Sequence, residues 1–144
     1  MRSVIEEYEV TSENIYNIDE TAMFIETDDL TTIDKVGTKK VAVISAGLTR
    51  FRITGICAAS ASGRKLAPTI ITKGKTESIT MVDGFVSLTA LKSWINSNLF
   101  RHWIDFMFPS FVTPANKILL VFDSAKSHIS SEVKAFLWHL NIMF

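Results

Sequence analysis

The clearest hydrophobic pattern in this chain is the unbroken apolar run Ile118-Leu119-Leu120-Val121-Phe122, which ends at Asp123. A short apolar run without alternation is typical of a strand buried on both faces, as in a sheet covered by helices. A charged carboxylate is costly inside such a sheet. Asp123 is therefore expected at the carboxyl end of the strand, where open α/β sheets place their ligands.

A second segment of the same kind lies near the beginning of the chain. Residues 15–20 read as a short strand that ends in Asp19 and Glu20, and residues 22–25 either extend this strand or begin a turn. If the strands of Asp19 and Asp123 lie side by side and parallel, both carboxylates leave the same edge of the sheet, close together.

The remaining patterns predict an α/β layer with a mixed sheet. Partial alternation over residues 50–59 and a return over 66–73, joined by a turn at 61–64, predict a β-hairpin. Pro68 in the second arm favours an edge strand or a bulge. The other predicted elements are a short helix over 2–9, a surface loop over 26–38, a possible strand over 40–44, a helix that begins at Ser130 or Ser131 and stops near Asn141, and the start of a strand over 142–144.

The longest predicted helix covers residues 89–108. Its apolar residues recur every four positions, and Trp94 widens the apolar face, so both Trp94 and Trp103 are expected in the core rather than as platforms for nucleic-acid bases. The recurring positions are Leu91, Ile95, Leu99, Trp103 and Met107.

Composition is that of a folded protein of one domain. The chain has 144 residues, of which 47% are hydrophobic, and its apolar runs are too short to span a membrane. The first nine residues contain no apolar signal-peptide core, so a cytosolic or nuclear location is the default expectation. The single cysteine, Cys57, excludes an internal disulfide and a multi-cysteine zinc site, and it is expected as a small buried side chain in a strand.

The net charge is zero, but the charges are separated along the sequence. Residues 1–34 hold ten acids and one base, whereas residues 35–75 hold nine bases and no acid. A local basic block attracts a polyanion whatever the net charge, although it is also what an exposed strand carries to prevent edge pairing. The absence of acids favours a surface that faces phosphates. The candidate DNA-binding residues in this block are Lys39, Lys40, Arg50, Arg52, Arg64, Lys65, Lys73 and Lys75.

Two carboxylates at one sheet edge repel each other and favour a divalent cation between them. Oxygen ligands suit Mg²⁺ or Mn²⁺, which keep positions open for phosphate and water. Asp19 and Asp123 are thus the candidate metal ligands. Glu20 is adjacent to Asp19 and points elsewhere if the strand persists, so it is expected to support the site rather than bind the ion. His128 is a candidate to orient a ligand or contact phosphate, with a purely local hydrogen bond as the alternative.

Several blocks together resemble the pogo/Tigger/jerky branch of the DDE transposases, a Tc1-mariner-like group. Residues 16–24, with Asn17-Ile18-Asp19-Glu20-Thr21, resemble the first catalytic block of that family, and residues 120–128, from Leu120 to His128, resemble the second. The segment from Ala61 to Pro68 and the Lys73-Gly74-Lys75 sequence are similar to the middle of the family's domain.

The resemblance implies a ribonuclease-H-like mixed sheet flanked by helices and a nuclear protein that acts on DNA. The implied chemistry is metal-dependent cleavage and transfer of DNA strands, with Asp19 and Asp123 as catalytic residues at a two-metal site of Mg²⁺ or Mn²⁺.

The chain departs from the family pattern in three ways. Ala22 stands where many relatives have Gly. The family's third acidic residue follows a further strand, and the sequence ends before such a block. The helix-turn-helix region that precedes the domain in relatives is also absent. We therefore expect residues 1–144 to be one partial catalytic domain, incomplete at its C-terminus and inactive alone.

Two other functions stay open at this point. A domesticated descendant could keep the fold as an inactive DNA-binding or protein-interaction module, and DNA binding without metal dependence would distinguish it. Another α/β metal enzyme with an Asp after an apolar strand, such as a phosphatase, would need further parallel strands, and the hairpin argues against it.

Overall fold

The fold is a mixed α/β layer in a computed structural model that describes residues 2–25, 33, 35–39, 51–108 and 117–144. The strand expected at 40–44 and most of the loop expected at 26–38 lie outside these residues. The elements are α1 (Arg2–Tyr8), a 3₁₀ turn (Ser12–Asn14), β1 (Ile15–Phe24), β2 (Arg52–Ser60), β3 (Thr69–Lys73), β4 (Ser78–Val82), β5 (Phe85–Ala90), α2 (Ser97–Met107), β6 (Ile118–Val121), α3 (Lys126–Ile129), α4 (Ser131–His139) and β7 (Ile142–Met143).

The strands form one seven-stranded sheet in the order β4-β5-β3-β2-β1-β6-β7. The pairs β1–β6, β6–β7 and β3–β5 are parallel, and the other neighbours are antiparallel. The expected mixed sheet is confirmed, and so is the expected parallel contact between the strands that lead to Asp19 and Asp123. Because β1, β3, β5 and β6 all run in one direction, their carboxyl ends meet at one edge of the sheet.

The hydrophobic core lies between one face of the sheet and helices α2 and α4. In β1, Tyr16 and Ile18 are buried while Asn17 and Asp19 are exposed, as the alternation of a pleated strand requires. A polar tie fixes α2 to the sheet, because the indole Nε1 of Trp103 donates a 2.7 Å hydrogen bond to Oγ1 of Thr69 in β3. The residues that α2 buries are Leu99, Phe100, Trp103, Ile104 and Met107.

The segment before α2 differs from the sequence-based prediction. The helix expected over 89–108 begins only at Ser97, where the Asn96 side chain accepts a hydrogen bond from the Leu99 amide. The preceding residues form a β4–β5 hairpin that was missed, although Asp83-Gly84 between two apolar runs is a strong hairpin signal. Both turn residues have positive φ, 46° and 86°, which a type I′ turn needs and glycine adopts without strain.

This difference corrects the expected position of Trp94. Trp103 is fully buried, as predicted, but Trp94 lies in the loop between β5 and α2 and is 50% exposed. Leu91 and Ile95 match the four-residue spacing of the helix only by coincidence, because both residues lie in the segment between β5 and α2.

Two predictions about the first hairpin need correction. Pro68 suggested an edge strand or a bulge, and the edge alternative is wrong because β3 lies between β2 and β5. The bulge alternative agrees with the pairing, whose register shifts by one residue between Ala59↔Lys65 and Ile56↔Thr69. Pro68 is tolerated because it directly precedes β3 and contributes only its carbonyl, which accepts a 2.8 Å hydrogen bond from the Val86 amide. Cys57 is exposed rather than buried, because it shares the exposed face of the sheet with its partner Asp19.

The C-terminal elements follow the prediction. The Ser130 side chain caps α4 by accepting a hydrogen bond from the Val133 amide, and β7 is the expected beginning of a strand beside β6. No helix within the described ranges is long and apolar enough to cross a membrane.

The tie between Trp103 and Thr69 gives a stability prediction. Thr69→Val keeps the shape of the side chain but leaves the buried indole N–H without its acceptor, so we expect the free energy of unfolding to fall by about 1–3 kcal/mol. Urea unfolding followed by circular dichroism measures this loss. Thr80→Val, on an exposed position of β4, is the matched control and should change stability by less than about 0.5 kcal/mol. Equal losses in the two variants would contradict the assignment.

Candidate active site

The pairing register between β1 and β6 determines where the two candidate aspartates lie relative to each other. The last paired rung joins Asn17 to Val121, and each of the two aspartates lies two residues beyond it. Asp19, within β1, and Asp123, just after β6, are therefore at the same distance past the last rung of two neighbouring parallel strands. Both line a single cleft, here called the carboxylate cleft. Its lining residues are Ile18, Asp19, Glu20, Thr21, Ala22, Arg52, Thr54, Trp94, Asp123, Ala125 and His128.

Asp123 is held by the turn that follows its own strand. Its Oδ1 accepts a 3.1 Å hydrogen bond from the Ala125 amide and lies 2.7 Å from Nδ1 of His128. The backbone hydrogen bond from Ala125, followed by the contact with His128, holds the pKa of the Asp123 carboxyl below its usual range. Asp123 is thus ionised at neutral pH, as a ligand for a cation must be.

His128 connects Asp123 to Glu20, which lies 108 residues away in the sequence. Its Nε2 is 2.7 Å from Oε1 of Glu20, so the imidazole bridges two carboxylates. The ring lies between Phe100 and Phe122, at centroid distances of 4.6 and 5.6 Å, and His128 is only 5% exposed. The sequence expectation that Glu20 points away from Asp19 agrees with this contact.

The bridge has a defined protonation state. A neutral imidazole carries one N–H, so only the imidazolium can donate to both Asp123 and Glu20. Burial alone would lower the pKa of His128, but the hydrogen bonds to Glu20 and Asp123 and the charges of these carboxylates outweigh it and raise that pKa above its ordinary value.

Asp19 lies on the opposite face of β1 from Glu20, and its Oδ1 accepts a 2.9 Å hydrogen bond from the Glu20 amide. The described contacts of both aspartates fall on Oδ1 alone, which leaves Oδ2 of each for a ligand. Within the described ranges no cluster of three or more His, Cys, Asp or Glu side chains could enclose a metal ion. An oxygen-donor pair in an open cleft fits Mg²⁺ or Mn²⁺, which retain water and phosphate ligands, better than it fits a closed structural site.

The basic block of the sequence divides into separate groups in space. Arg52 begins β2 and lines the carboxylate cleft, and it also borders a shallow groove with Lys73 and Lys75, which end and follow β3. These three residues, here called the edge cations, lie at the same edge of the sheet as the carboxyl ends of β1 and β6. Arg64 and Lys65 follow the turn at the other end of β2.

Of the remaining basic candidates, Lys39 is exposed, whereas Lys40 and Arg50 lie outside the described residues. Sequence reasoning also missed two members of the cleft, Thr54 and Trp94. Thr54 gave no signal, since a threonine in an alternating strand is ordinary. Trp94 was assigned to the wrong element because the β4–β5 hairpin was missed.

Solved structures with a similar fold include complexes of the Mos1 transposase. The crystal structure titled "mariner Mos1 paired end complex with Mg" aligns with a TM-score of 0.55 at 13% identity and covers 99% of this chain and 39% of that chain. The "Mos1 Strand Transfer Complex" aligns with a TM-score of 0.54 at 12% identity and covers 99% and 37% of the two chains. The fold is therefore the ribonuclease-H-like class of mixed α/β domains.

The family of the chain follows from comparison of its sequence with known families. Residues 52–144 match the family described as DDE superfamily endonuclease, and the chain belongs to that family. Asp123 and His128 lie inside the matched range, whereas Asp19 and Glu20 precede it.

Two curated relatives that the chain resembles are pogo-related proteins. "Pogo transposable element with KRAB domain" from Mus musculus is 25% identical over 138 residues, which cover 94% of this chain and 22% of that protein. The Homo sapiens protein of the same description is 26% identical over 131 residues, covering 89% and 21%. The chain thus spans about a fifth of these relatives' length. The chain is thus a DDE superfamily endonuclease domain by its family match, and it is similar to a part of these pogo-related proteins.

The His128 bridge predicts how stability depends on pH in metal-free protein. Because the pKa of His128 is raised on folding, the bridge stabilises the fold fully below the unfolded histidine pKa of about 6.5, and this contribution is lost as the pH rises through the folded value. The free energy of unfolding in EDTA should therefore fall from about pH 6 towards alkaline pH.

His128→Gln tests this assignment, because it removes the titrating group from the bridge. It should flatten the pH dependence and cost about 1–3 kcal/mol near pH 6, where the buried contacts to two carboxylates are lost. The opposite shift of Asp123, whose pKa is lowered, acts only as the pH falls through the carboxyl range and leaves this window unaffected. His102→Gln, on an exposed position of α2, is the control. An unchanged pH profile in His128→Gln would refute the bridge.

Proposed function

We propose that this chain is the metal-dependent DNA cleavage and strand-transfer region of a pogo-type transposase or of a protein derived from one, with Asp19 and Asp123 as its catalytic metal ligands. The observation that supports this most is the position of the two carboxylates, two residues beyond the same rung of neighbouring parallel strands in one cleft. The proposed cofactor is Mg²⁺ or Mn²⁺, and solved structures of similar fold carry Mg or Mn in their titles.

Each residue of the site has a distinct part in this proposal. Oδ2 of Asp19 and Oδ2 of Asp123 would hold the cation, since Oδ1 of each is already engaged by the protein. A bound divalent cation supplies charge relief at the phosphorus of a DNA phosphodiester and activates the attacking hydroxyl. His128 fixes the rotation of the Asp123 carboxylate, and Glu20 fixes that of His128. Hydrogen-bonded partners of this kind typically orient metal ligands.

The chain contributes two acids to a family pattern that has three. The third, which the family resemblance places after a further strand, would complete the site. We therefore propose that residues 1–144 belong to a single catalytic domain and that, alone, they bind metal weakly and cleave DNA slowly or not at all. A DNA substrate also makes the nucleus the proposed location.

The edge cations are the proposed contact to the DNA backbone. Arg52 lines the same cleft as the carboxylates, and Lys73 and Lys75 line a neighbouring groove with Arg52. Contacts between such side chains and phosphates are independent of sequence and depend on salt. Arg64 and Lys65, at the opposite end of the hairpin, are not part of this surface, although Lys65 borders the exposed face of the sheet near Asp19.

A second candidate function is a non-catalytic DNA-binding or protein-interaction module. The names of the curated relatives favour it, because those transposon-related proteins are described with a KRAB domain. In that case the chain binds DNA equally well with and without divalent metal, and nicking is absent.

The catalytic assignment is tested by nicking of supercoiled plasmid in Mg²⁺ or Mn²⁺, together with calorimetric titration of Mn²⁺. Asp19→Asn and Asp123→Asn should each weaken Mn²⁺ binding by at least roughly 10- to 100-fold, the loss that follows even when a partner of a ligand is removed, and should abolish any slow nicking that the wild type shows. Asp105→Asn, an exposed acid on α2, should behave as the wild type. Wild-type protein that binds DNA but neither nicks it nor binds Mn²⁺ would support the non-catalytic module instead.

The backbone contact is tested by the salt dependence of binding to duplex DNA. Replacing Arg52, Lys73 and Lys75 together by Ala should weaken binding for every sequence tested. It should also reduce the slope of log affinity against log salt by about 0.9 for each phosphate contact that is lost. Arg64→Ala with Lys65→Ala removes two exposed charges elsewhere on the hairpin and serves as the control. If both variants lose the same DNA affinity and the same salt slope for each charge removed, the edge cations are not the contact to the DNA backbone.

A further inference from the structure

The wall of the carboxylate cleft contains an exposed aromatic side chain that the proposed chemistry does not use. Trp94 is 50% exposed and lines this cleft together with Asp19, Asp123 and Arg52. Exposing so large an apolar surface costs free energy that burial of the ring in the core would recover. A solvent-exposed indole beside two carboxylates and a guanidinium is thus a candidate for contact with a ligand that has both an apolar face and a phosphate.

The loop that carries Trp94 is fixed on both sides. Oγ1 of Thr54, a buried residue of β2, donates a 2.6 Å hydrogen bond to the carbonyl of Ser93, the residue just before Trp94. Two residues after Trp94, Asn96 caps α2. The backbone that carries the ring is therefore held in place before a ligand arrives, which lowers the entropy lost on binding.

One cation lies over the ring, and a second lines the same cleft. Nζ of Lys92 lies 5.1 Å from the centroid of the Trp94 indole, and Arg52 lines the same cleft. An aromatic face flanked by cations is the arrangement with which proteins bind single-stranded nucleic acid, where a base stacks on the ring and the cations follow the backbone. A peptide partner would not explain why this ring shares a cleft with Asp19 and Asp123.

We propose that Trp94 stacks on an unpaired base of the DNA strand whose phosphate lies at Asp19 and Asp123. This inference rests on the proposed function. Within a duplex each base stacks on its neighbours, so only a base released from pairing can offer its face to the indole. Trp94 thus selects DNA that is unpaired next to the reacting phosphate, while the edge cations bind the backbone without regard to pairing.

The experiment compares two DNA duplexes of equal length and phosphate number, one fully paired and one mismatched at its labelled end. Binding is followed by fluorescence anisotropy in Mg²⁺, with gel analysis to confirm that the DNA stays intact. The proteins are the wild type, Trp94→Ala, Trp94→Phe and Trp138→Ala. Trp138 is 70% exposed on α4 and lines a different pocket, so it controls for the loss of an exposed indole.

We expect the wild type to prefer the mismatched DNA and Trp94→Ala to lose that preference by roughly 5- to 150-fold, as expected for one base stacked on an aromatic ring. Trp94→Phe should keep most of the preference, and Trp138→Ala should keep all of it. Thermal melting checks that the Trp94 variants remain folded, which is expected because the ring is half exposed.

Three results would overturn the inference, and they differ in what they say about the proposed function. If the wild type binds both DNAs equally, or if Trp94→Ala weakens binding to both by the same factor, Trp94 does not stack on an unpaired base, although DNA binding by this domain stands. If no protein binds either DNA, the proposed function itself fails and the stacking inference falls with it.

Discussion

The parallel pairing of β1 with β6 is the constraint on which the candidate site depends. The rung between Asn17 and Val121 sets Asp19 level with Asp123, although more than a hundred residues separate them. A shift of one residue in this register would turn one carboxylate to the other face of the sheet, because side chains alternate along a strand. The register is specified by burial, since Tyr16 and Ile18 must face the helices. The same packing that stabilises the domain thus positions its acids.

The bridge made by His128 shows how the site tolerates charge close to the core. A buried imidazolium between Phe100 and Phe122 would be costly by itself, because burial disfavours the charged form. Carboxylates on both nitrogens offset that cost, and each carboxylate is in turn held in one orientation. The short α3 helix serves this purpose, because it returns the chain so that the residue five positions after Asp123 reaches back to Asp123 itself. The bridge also joins the two family blocks, one on β1 and one after β6.

The sequence predicted the elements whose physical signal is local. An apolar run that ends in Asp123 and a strand that carries Asp19 indicated their sheet edge, although β1 continues past Asp19 to Phe24. Ser130 with the following apolar face indicated α4. The contact between His128 and Glu20 could not be predicted, since no periodicity links residues 108 positions apart. The error at residues 89–96 has a different origin. The four-residue period of Leu91 and Ile95 extended the predicted helix towards the N-terminus, and the Asp83-Gly84 turn, whose backbone demands are stricter than any apolar spacing, was not recognised.

The acids of the candidate site carry the same sign of charge as the phosphates of DNA. A site built from ionised acids repels the phosphates on which it is proposed to act, and the repulsion is strongest in a cleft of low dielectric. The first part of the sequence is acidic and the next is basic, and β2 and β3 carry basic residues to the edge where the acids lie. Arg52 is the clearest case, because it begins β2 opposite Phe24, the last residue of β1, and lines the same cleft as Asp19 and Asp123. Antiparallel pairing of β1 with β2 therefore brings a cation to the cleft that holds the two carboxylates, so that one cleft offers both cation-binding oxygens and a positive charge for a phosphate.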